Sequence, residues 1–246
     1  MNYKWNWGVF FQQVPSGETT YLGWLLLGLK WTVTLSLTAW IIALIVGSLV
    51  GVCRTAPNKW LSGLATAYVE VFRNVPLLVQ LFIWYFVLPE LLPKAWGDAY
   101  KQMNPLVQQY LAALICLGLF TAARVAEQVR AGIGSLARGQ KSAGLAMGLT
   151  LPQTYRYVLL PMAYRIIVPP LTSEFLNIFK NSAVATTIGF IELSRQAQQL
   201  VDFTAQPYES FIAVTVLYLL INVTVMFIMR WVEGHTRVPG FIGSAK

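Results

Sequence analysis

Three stretches of this 246-residue chain hold no charged residue for long enough to cross a lipid bilayer: Trp31 to Cys53 (23 residues), Leu106 to Ala123 (18) and Ser210 to Met229 (20). A helix of that length matches the ~30 Å hydrocarbon core. Two further apolar segments carry charge inside them. Leu61 to Pro89 holds Glu70 and Arg73, and Ile166 to Ile191 holds Glu174 and Lys180. The expectation is one membrane domain over residues 1–246, with spans at about 22–53, 61–89, 106–130, 166–191 and 208–232. Backbone groups in hydrocarbon must satisfy one another, and barrel strands would read as short alternating segments, so the fold is expected to be all-α with five transmembrane helices. Composition agrees: 56% of residues are hydrophobic and 11% charged, far from the balance of water-soluble domains.

Charge sets the orientation. One group of connections holds Arg54, Lys59, Arg124, Arg130, Arg138, Lys141, Arg156, Arg165, Arg230, Arg237 and Lys246 against two acids, Glu127 and Glu233. The opposite group holds Lys4, Lys94, Lys101 and Arg195 against six acids. The basic side is expected to be cytoplasmic, which puts the N-terminus outside and the C-terminus inside. The net charge of +8 is then a topology signal, and no basic, aromatic-interleaved surface points to nucleic acid. Met1 to Thr20 has no basic leader region, so the first span is read as an uncleaved anchor. Tryptophans near the run ends, among them Trp5, Trp7, Trp31, Trp60, Trp96 and Trp231, read as an interfacial belt. Cys53 and Cys116 read as free thiols, and the lone His235 as a surface residue with no metal partners.

The connection over about 131–165 is too long to be a bare loop. Its sequence has helix-compatible pieces broken at Gly148 to Pro152 and again at Pro161. Gly134 to Ser142 reads GSLARGQKS, one residue away from the phosphate loop GxxxxGK followed by Ser or Thr. The inserted Gln140 separates the glycine from the lysine that must reach the phosphates, so nucleotide binding by this chain is not expected. Nor does any set of catalytic residues emerge.

Ser142 to Pro161, SAGLAMGLTLPQTYRYVLLP, resembles the EAA loop of the permeases of binding-protein-dependent ABC importers: Gly148 is followed after nine residues by Val158, Leu160 and Pro161. FRNVPLLVQLFIWYFVLP at Phe72 to Pro89, ARVAEQVRAGI at Ala123 to Ile133 and SEFLNIFKNSA at Ser173 to Ala183 are similar to the polar amino-acid branch of that family. The nearest resemblance is to glutamate/aspartate importer permeases. It implies a type I importer in the bacterial inner membrane. Two permease subunits, the second a homologous one, would work with two ATPase subunits that use ATP and Mg, and with a periplasmic or extracellular amino-acid-binding protein. This chain would bind no cofactor itself and be no enzyme. Its coupling segment would be Ser142, Ala143, Gly144, Leu145, Ala146, Met147, Gly148 and Leu149. Ser142 stands where the motif has its glutamate and Gly144 where it has an alanine, so a docking contact through that carboxylate is missing here.

For a substrate path, intramembrane polar residues come first, because charge is expensive there. Glu174, Asn177 and Asn181 fall at i, i+3 and i+7, one stripe of a helix, with Lys180 about a third of a turn away. The stripe could hold a substrate's amino group at Glu174, or make a polar contact between permease subunits. Glu70 and Arg73 would pair with each other or brace the end of their span. A secondary transporter or channel working without ATP is the alternative. The internal repeats common in secondary carriers are not seen.

Overall fold

The computed structural model describes residues 3–236, apart from the side chain of Arg138, so Arg237 and Lys246 of the basic face lie outside the described residues. The helices, in chain order, are α1 (Tyr21–Thr55), α2 (Lys59–Asn74), α3 (Leu77–Phe82), α4 (Leu88–Leu91), α5 (Lys94–Lys101), α6 (Pro105–Gly134), α7 (Arg138–Ala146), α8 (Leu151–Thr154), α9 (Leu160–Asn181), α10 (Leu193–Thr204) and α11 (Pro207–Thr236). Among the described residues no strand forms, and the one extended pairing is an isolated bridge between Gln13 and Thr20. The all-α expectation holds.

Among the described residues three helices, α1, α6 and α11, are long and apolar enough to cross a membrane; there are four if the broken pair Lys59–Asn74 and Leu77–Leu91 is one span. Ile41, Ile45 and Leu49 recur every fourth residue on α1, each more than half exposed, and Leu219, Leu220, Phe227 and Ile228 are equally bare on α11. Stripes of that kind are stable only against lipid or another apolar surface.

Two expected spans differ in detail. Residues 61–89 are not one helix: Val75 is extended, as a residue before proline prefers, and Pro76 caps the start of α3. The segment expected at 166–191 begins earlier and ends sooner. α9 runs through Pro161, Pro169 and Pro170, then passes into a 3-10 turn over Ser182–Ile188 that closes at Gly189, φ +83°. The break expected at Pro161 is therefore absent. A π turn, Tyr155–Leu159, precedes that proline, just as Ile83–Val87 precedes Pro89. A proline has no N–H to give to the preceding turn, and the wider turn absorbs the mismatch without ending the helix.

The chain divides into two compact units. The first takes the chain up to Trp40, Pro76–Gly118 and Asn177–Thr224. Its core packs Val9, Val14, Tyr21 and Leu25 against Leu193, Ala197, Leu200 and Val214. Gly28 lets α1 lie on the start of α10, where a Cβ would stand 2.9 Å from the Leu193 Cα. Glu192 is fully buried and caps α10: its carboxylate accepts from the Ser194 N–H at 2.9 Å, the Arg195 N–H at 2.7 Å, the Tyr218 hydroxyl at 2.7 Å and the Thr186 hydroxyl. Glu209, also buried, accepts from the Asn6 N–H at 2.6 Å and from the Tyr3 hydroxyl. Trp31 departs from the expected belt, being half-buried against Tyr110 and Phe190, whereas Trp5, Trp7, Trp60, Trp96 and Trp231 are exposed.

The second unit takes Ile41–Val75, Leu119–Leu176 and the chain from Val225. Gly47 and Gly51, spaced i and i+4, bring α1 against α6 so closely that a Cβ would meet the Ala122 carbonyl oxygen at 2.7 Å and that of Ala126 at 2.8 Å. Small residues at this spacing are how membrane helices gain contact without a hydrophobic driving force. Val69 packs into the same seam with Ala123 and Ala126, and the Tyr68 hydroxyl donates to the Leu119 carbonyl at 2.7 Å.

Candidate functional site

The segment expected to couple, Ser142 to Leu149, lies wholly in the second unit. α7 ends in a Schellman motif: the Leu149 N–H reaches the Gly144 carbonyl at 3.2 Å and the Gly148 N–H that of Leu145 at 3.0 Å. Gly148 sits at φ +85°, left-handed backbone that a side chain resists. Thr150 then starts α8, its N–H bonding the Gln153 side chain at 2.8 Å, with Pro152 in the first turn. The segment is anchored from behind by Tyr155, Leu159, Leu136 and Ala163, and the Tyr155 hydroxyl donates to the Thr55 carbonyl at 2.8 Å.

Gly144 is the buried member of the expected coupling residues. A Cβ there would come within 2.8 Å of the Thr154 methyl, and Thr154 itself is fully buried. The missing methyl of this motif position is thus filled from α8. Ser142, Ala143, Ala146 and Gly148 are exposed, Leu149 is half-buried, Leu145 is 44% exposed and Met147 83%. Bare apolar side chains beside a fixed turn make a surface a partner helix or groove can cover. One detail of the hinge expectation changes: nothing lies within 4 Å of a Cβ placed on Gly148, so its glycine is required by the backbone and not by crowding within this chain.

The polar residues of α9 fall in different units. Glu174 belongs to the second; Asn177, Lys180 and Asn181 belong to the first. Glu174 is buried and its Oε2 makes no hydrogen bond, Asn177 and Asn181 are half-buried, and Lys180 is exposed.

Around Glu127 the second unit gathers arginines. Glu127, on α6, pairs with Arg54, with Arg130 one turn along the same helix, and with Arg73 at 3.6 Å. The expected Glu70–Arg73 pair does not form. Arg73 turns to Glu127, and the Glu70 carboxylate accepts instead from the Asn74 amide at 3.1 Å. Arg124 is the member that sequence reading counted only as loop charge. It lies within α6, its guanidinium 4.9 Å over the Phe120 ring one turn back, and its buried Nε makes no hydrogen bond. Its place directly after the uncharged run Leu106 to Ala123 was the available signal. No group of three metal-ligating side chains occurs among the described residues, and His235 is exposed, its ring against Trp231.

Long apolar helices with bare lipid-suited stripes, an exposed apolar turn and buried charge are the features of a membrane-embedded helical protein. The chain belongs to the family described as the binding-protein-dependent transport system inner membrane component, which matches residues 39–238. It is 59% identical over 244 residues, 99% of both chains, to the glutamate/aspartate import permease protein GltJ of Escherichia coli (strain K12). It is 30% identical over 235 residues, 96% of this chain and 99% of the other, to that organism's glutamine transport system permease protein GlnP. A crystal structure of an amino acid ABC transporter with histidines superposes with a TM-score of 0.73 at 30% identity, covering 87% of this chain and 95% of that one. The MetNI methionine ABC transporter in an inward-facing conformation reaches 0.72 at 20% identity, covering 88% and 98%, which shows the fold alone. The chain is thus an ABC importer permease subunit, a transport component and not an enzyme.

Proposed function

We propose that this subunit carries L-glutamate and L-aspartate inward across the bacterial inner membrane, driven by ATP hydrolysis on a separate chain. The observation that carries the reading is the 59% identity, end to end, with a glutamate/aspartate import permease, against 30% with a glutamine one. The working assembly pairs this subunit with a homologous permease, two ATPase subunits and an external amino-acid-binding protein. It places five spans in the membrane with the N-terminus outside, supported by the basic asymmetry of the connections. The ATPase docks on the exposed face of Ser142 to Leu149, and Gly148 holds that face at a fixed angle to α8. A rigid segment of this kind can pass closure of the ATPases to the spans. Glu174 is the stripe residue we assign to the substrate's ammonium group, with Asn177 and Asn181 further along the same helix.

The test is reconstitution of the whole transporter in proteoliposomes with ATP inside and radiolabelled L-glutamate and binding protein outside. ATP-dependent uptake that unlabelled L-aspartate competes away, and L-glutamine does not, is expected. Uptake without ATP would establish the secondary-transporter alternative, and preferential uptake of glutamine would overturn the substrate.

A further inference from the structure

In the second unit the last turns of α1 lie alongside α8 and the π turn Tyr155–Leu159, and a groove of about 410 Å³ runs between them. Leu49, Val52 and Ala56 form one wall, and Leu151, Pro152 and Leu160 the other. The two hydroxyls that line the groove are already bonded, Ser48 with the Tyr164 hydroxyl and Tyr155 to the Thr55 carbonyl at 2.8 Å, so its walls call for no polar ligand. Leu49 continues the bare stripe of Ile41 and Ile45, which makes the groove continuous with the apolar face of α1. Charge enters the lining through Arg156, which is exposed and in no ion pair among the described residues. Its guanidinium lies 5.6 Å from the Tyr157 ring. Residues 41–69 and 128–173, which supply both walls, contain no Asp or Glu, and Arg54, next to Cys53 on α1, is taken up by Glu127. At 35 residues α1 is about 50 Å long, so its end turns pass the ~30 Å hydrocarbon core and reach headgroup depth. Trp60 and Tyr157, 85% and 62% exposed, are aromatic rings suited to that layer.

We propose that this groove binds an anionic phospholipid, one acyl chain lying between α1 and α8 and the phosphate facing Arg156. The site joins two chemistries, an apolar slot and an unanswered cation in an acid-free surround. A free anion would use only the arginine, and an uncharged apolar chain only the slot. A lipid with a net negative headgroup answers both, and leaflet surfaces rich in such lipids attract basic side chains at this depth. The bound lipid would bridge the end of α1 and the chain that follows the Gly148 turn, adding to the single Tyr155 to Thr55 hydrogen bond between them. The site does not depend on which solute the chain carries.

Cys53 supplies a native readout because it lines the groove, while Cys116, buried in the first unit, serves as the unreactive control. The assembled transporter is held in maltoside micelles carrying dioleoylphosphatidylglycerol or dioleoylphosphatidylcholine at equal mole fraction, and alkylation of Cys53 by N-ethylmaleimide is followed by peptide mass spectrometry. Phosphatidylglycerol should slow alkylation about fivefold more than phosphatidylcholine, the worth of one basic residue beside an anionic headgroup. Arg156→Gln, at an exposed position, should erase that difference, and Arg156→Lys should keep it. Millimolar inorganic phosphate in lipid-free micelles should protect nothing. Equal protection by the two lipids would overturn the assignment without any variant having to fold, as would an unchanged preference in Arg156→Gln. Protection by phosphate alone would replace the lipid with a free anion. A Cys53 that resists alkylation even in lipid-free micelles would refute the site as well, because a protein partner would then fill the groove.

Discussion

The two units treat buried acid in opposite ways. In the first, Glu192 meets four donors and Glu209 is clasped by Tyr3 and Asn6, so each carboxylate is finished by hydrogen bonds from its surroundings. In the second, Glu127 is overfilled by three arginines, while Glu174 and Arg124 each keep a buried atom with no bond. A satisfied acid fixes geometry, as a helix cap or a strap does. An unsatisfied one holds free energy that a ligand can release. The contrast assigns a structural part to the first unit's acids.

The comparison breaks most easily at Glu192. Glu192→Ala strands two N–H groups and two hydroxyls in a dry interior, at a cost of about 4 kcal/mol. We expect a large fall in the melting temperature and abundance of the purified subunit, with Glu192→Gln milder because the amide oxygen still accepts. A variant that accumulates and melts normally would remove the structural role from the first unit.

Glu127→Ala comes next. It leaves Arg54, whose side chain is 10% exposed, beside two other arginines with no counter-charge, for about 3 kcal/mol. The melting temperature should fall, and less so in high salt, which screens the more exposed Arg73 and Arg130. Indifference to salt would mean that lost packing, not charge, is responsible.

Gly148 tests the coupling surface, where stability and function should separate. At φ +85° a valine costs about 1–3 kcal/mol of backbone strain, confined to a turn outside the spans. Gly148→Val should insert and accumulate yet lose ATP-dependent uptake and retain its ATPase poorly on copurification. Gly148→Asn, which tolerates the left-handed region, should keep more of both. If valine and asparagine behave alike, the turn does not set the docking angle.

The smallest effect is expected at Gly144. Gly144→Ala restores the residue common at that motif position but presses on the Thr154 methyl at 2.8 Å, costing about 1 kcal/mol. Pairing it with Thr154→Ser removes the methyl and should recover the melting temperature. Additive losses in the double variant would show that the two side chains do not share one space.

Much of this was legible along the chain. The uncharged runs fixed the apolar helices, because lipid leaves a backbone no other way to bond; Gly148 was marked by a local motif, because a Schellman turn is written within six residues. The prolines misled where they stood alone. Pro161 reads as a helix end, and only the π turn before it, a property of the turn as a whole, carries α9 onward. Charges misled in the same way. Spacing along one helix offered Glu70 as the partner of Arg73, and the basic count filed Arg124 with the loops. Sequence spacing records which residues share a helix face, whereas pairing between α1, α2, α6 and α9 depends on how closely those helices approach, and Gly47 and Gly51 set that approach by the volume they lack. The sequence by itself determined that the chain is a helical membrane permease with a glycine turn at Gly148. Only the tertiary structure decided which charges are answered and which are not, because satisfaction is a property of three-dimensional neighbours.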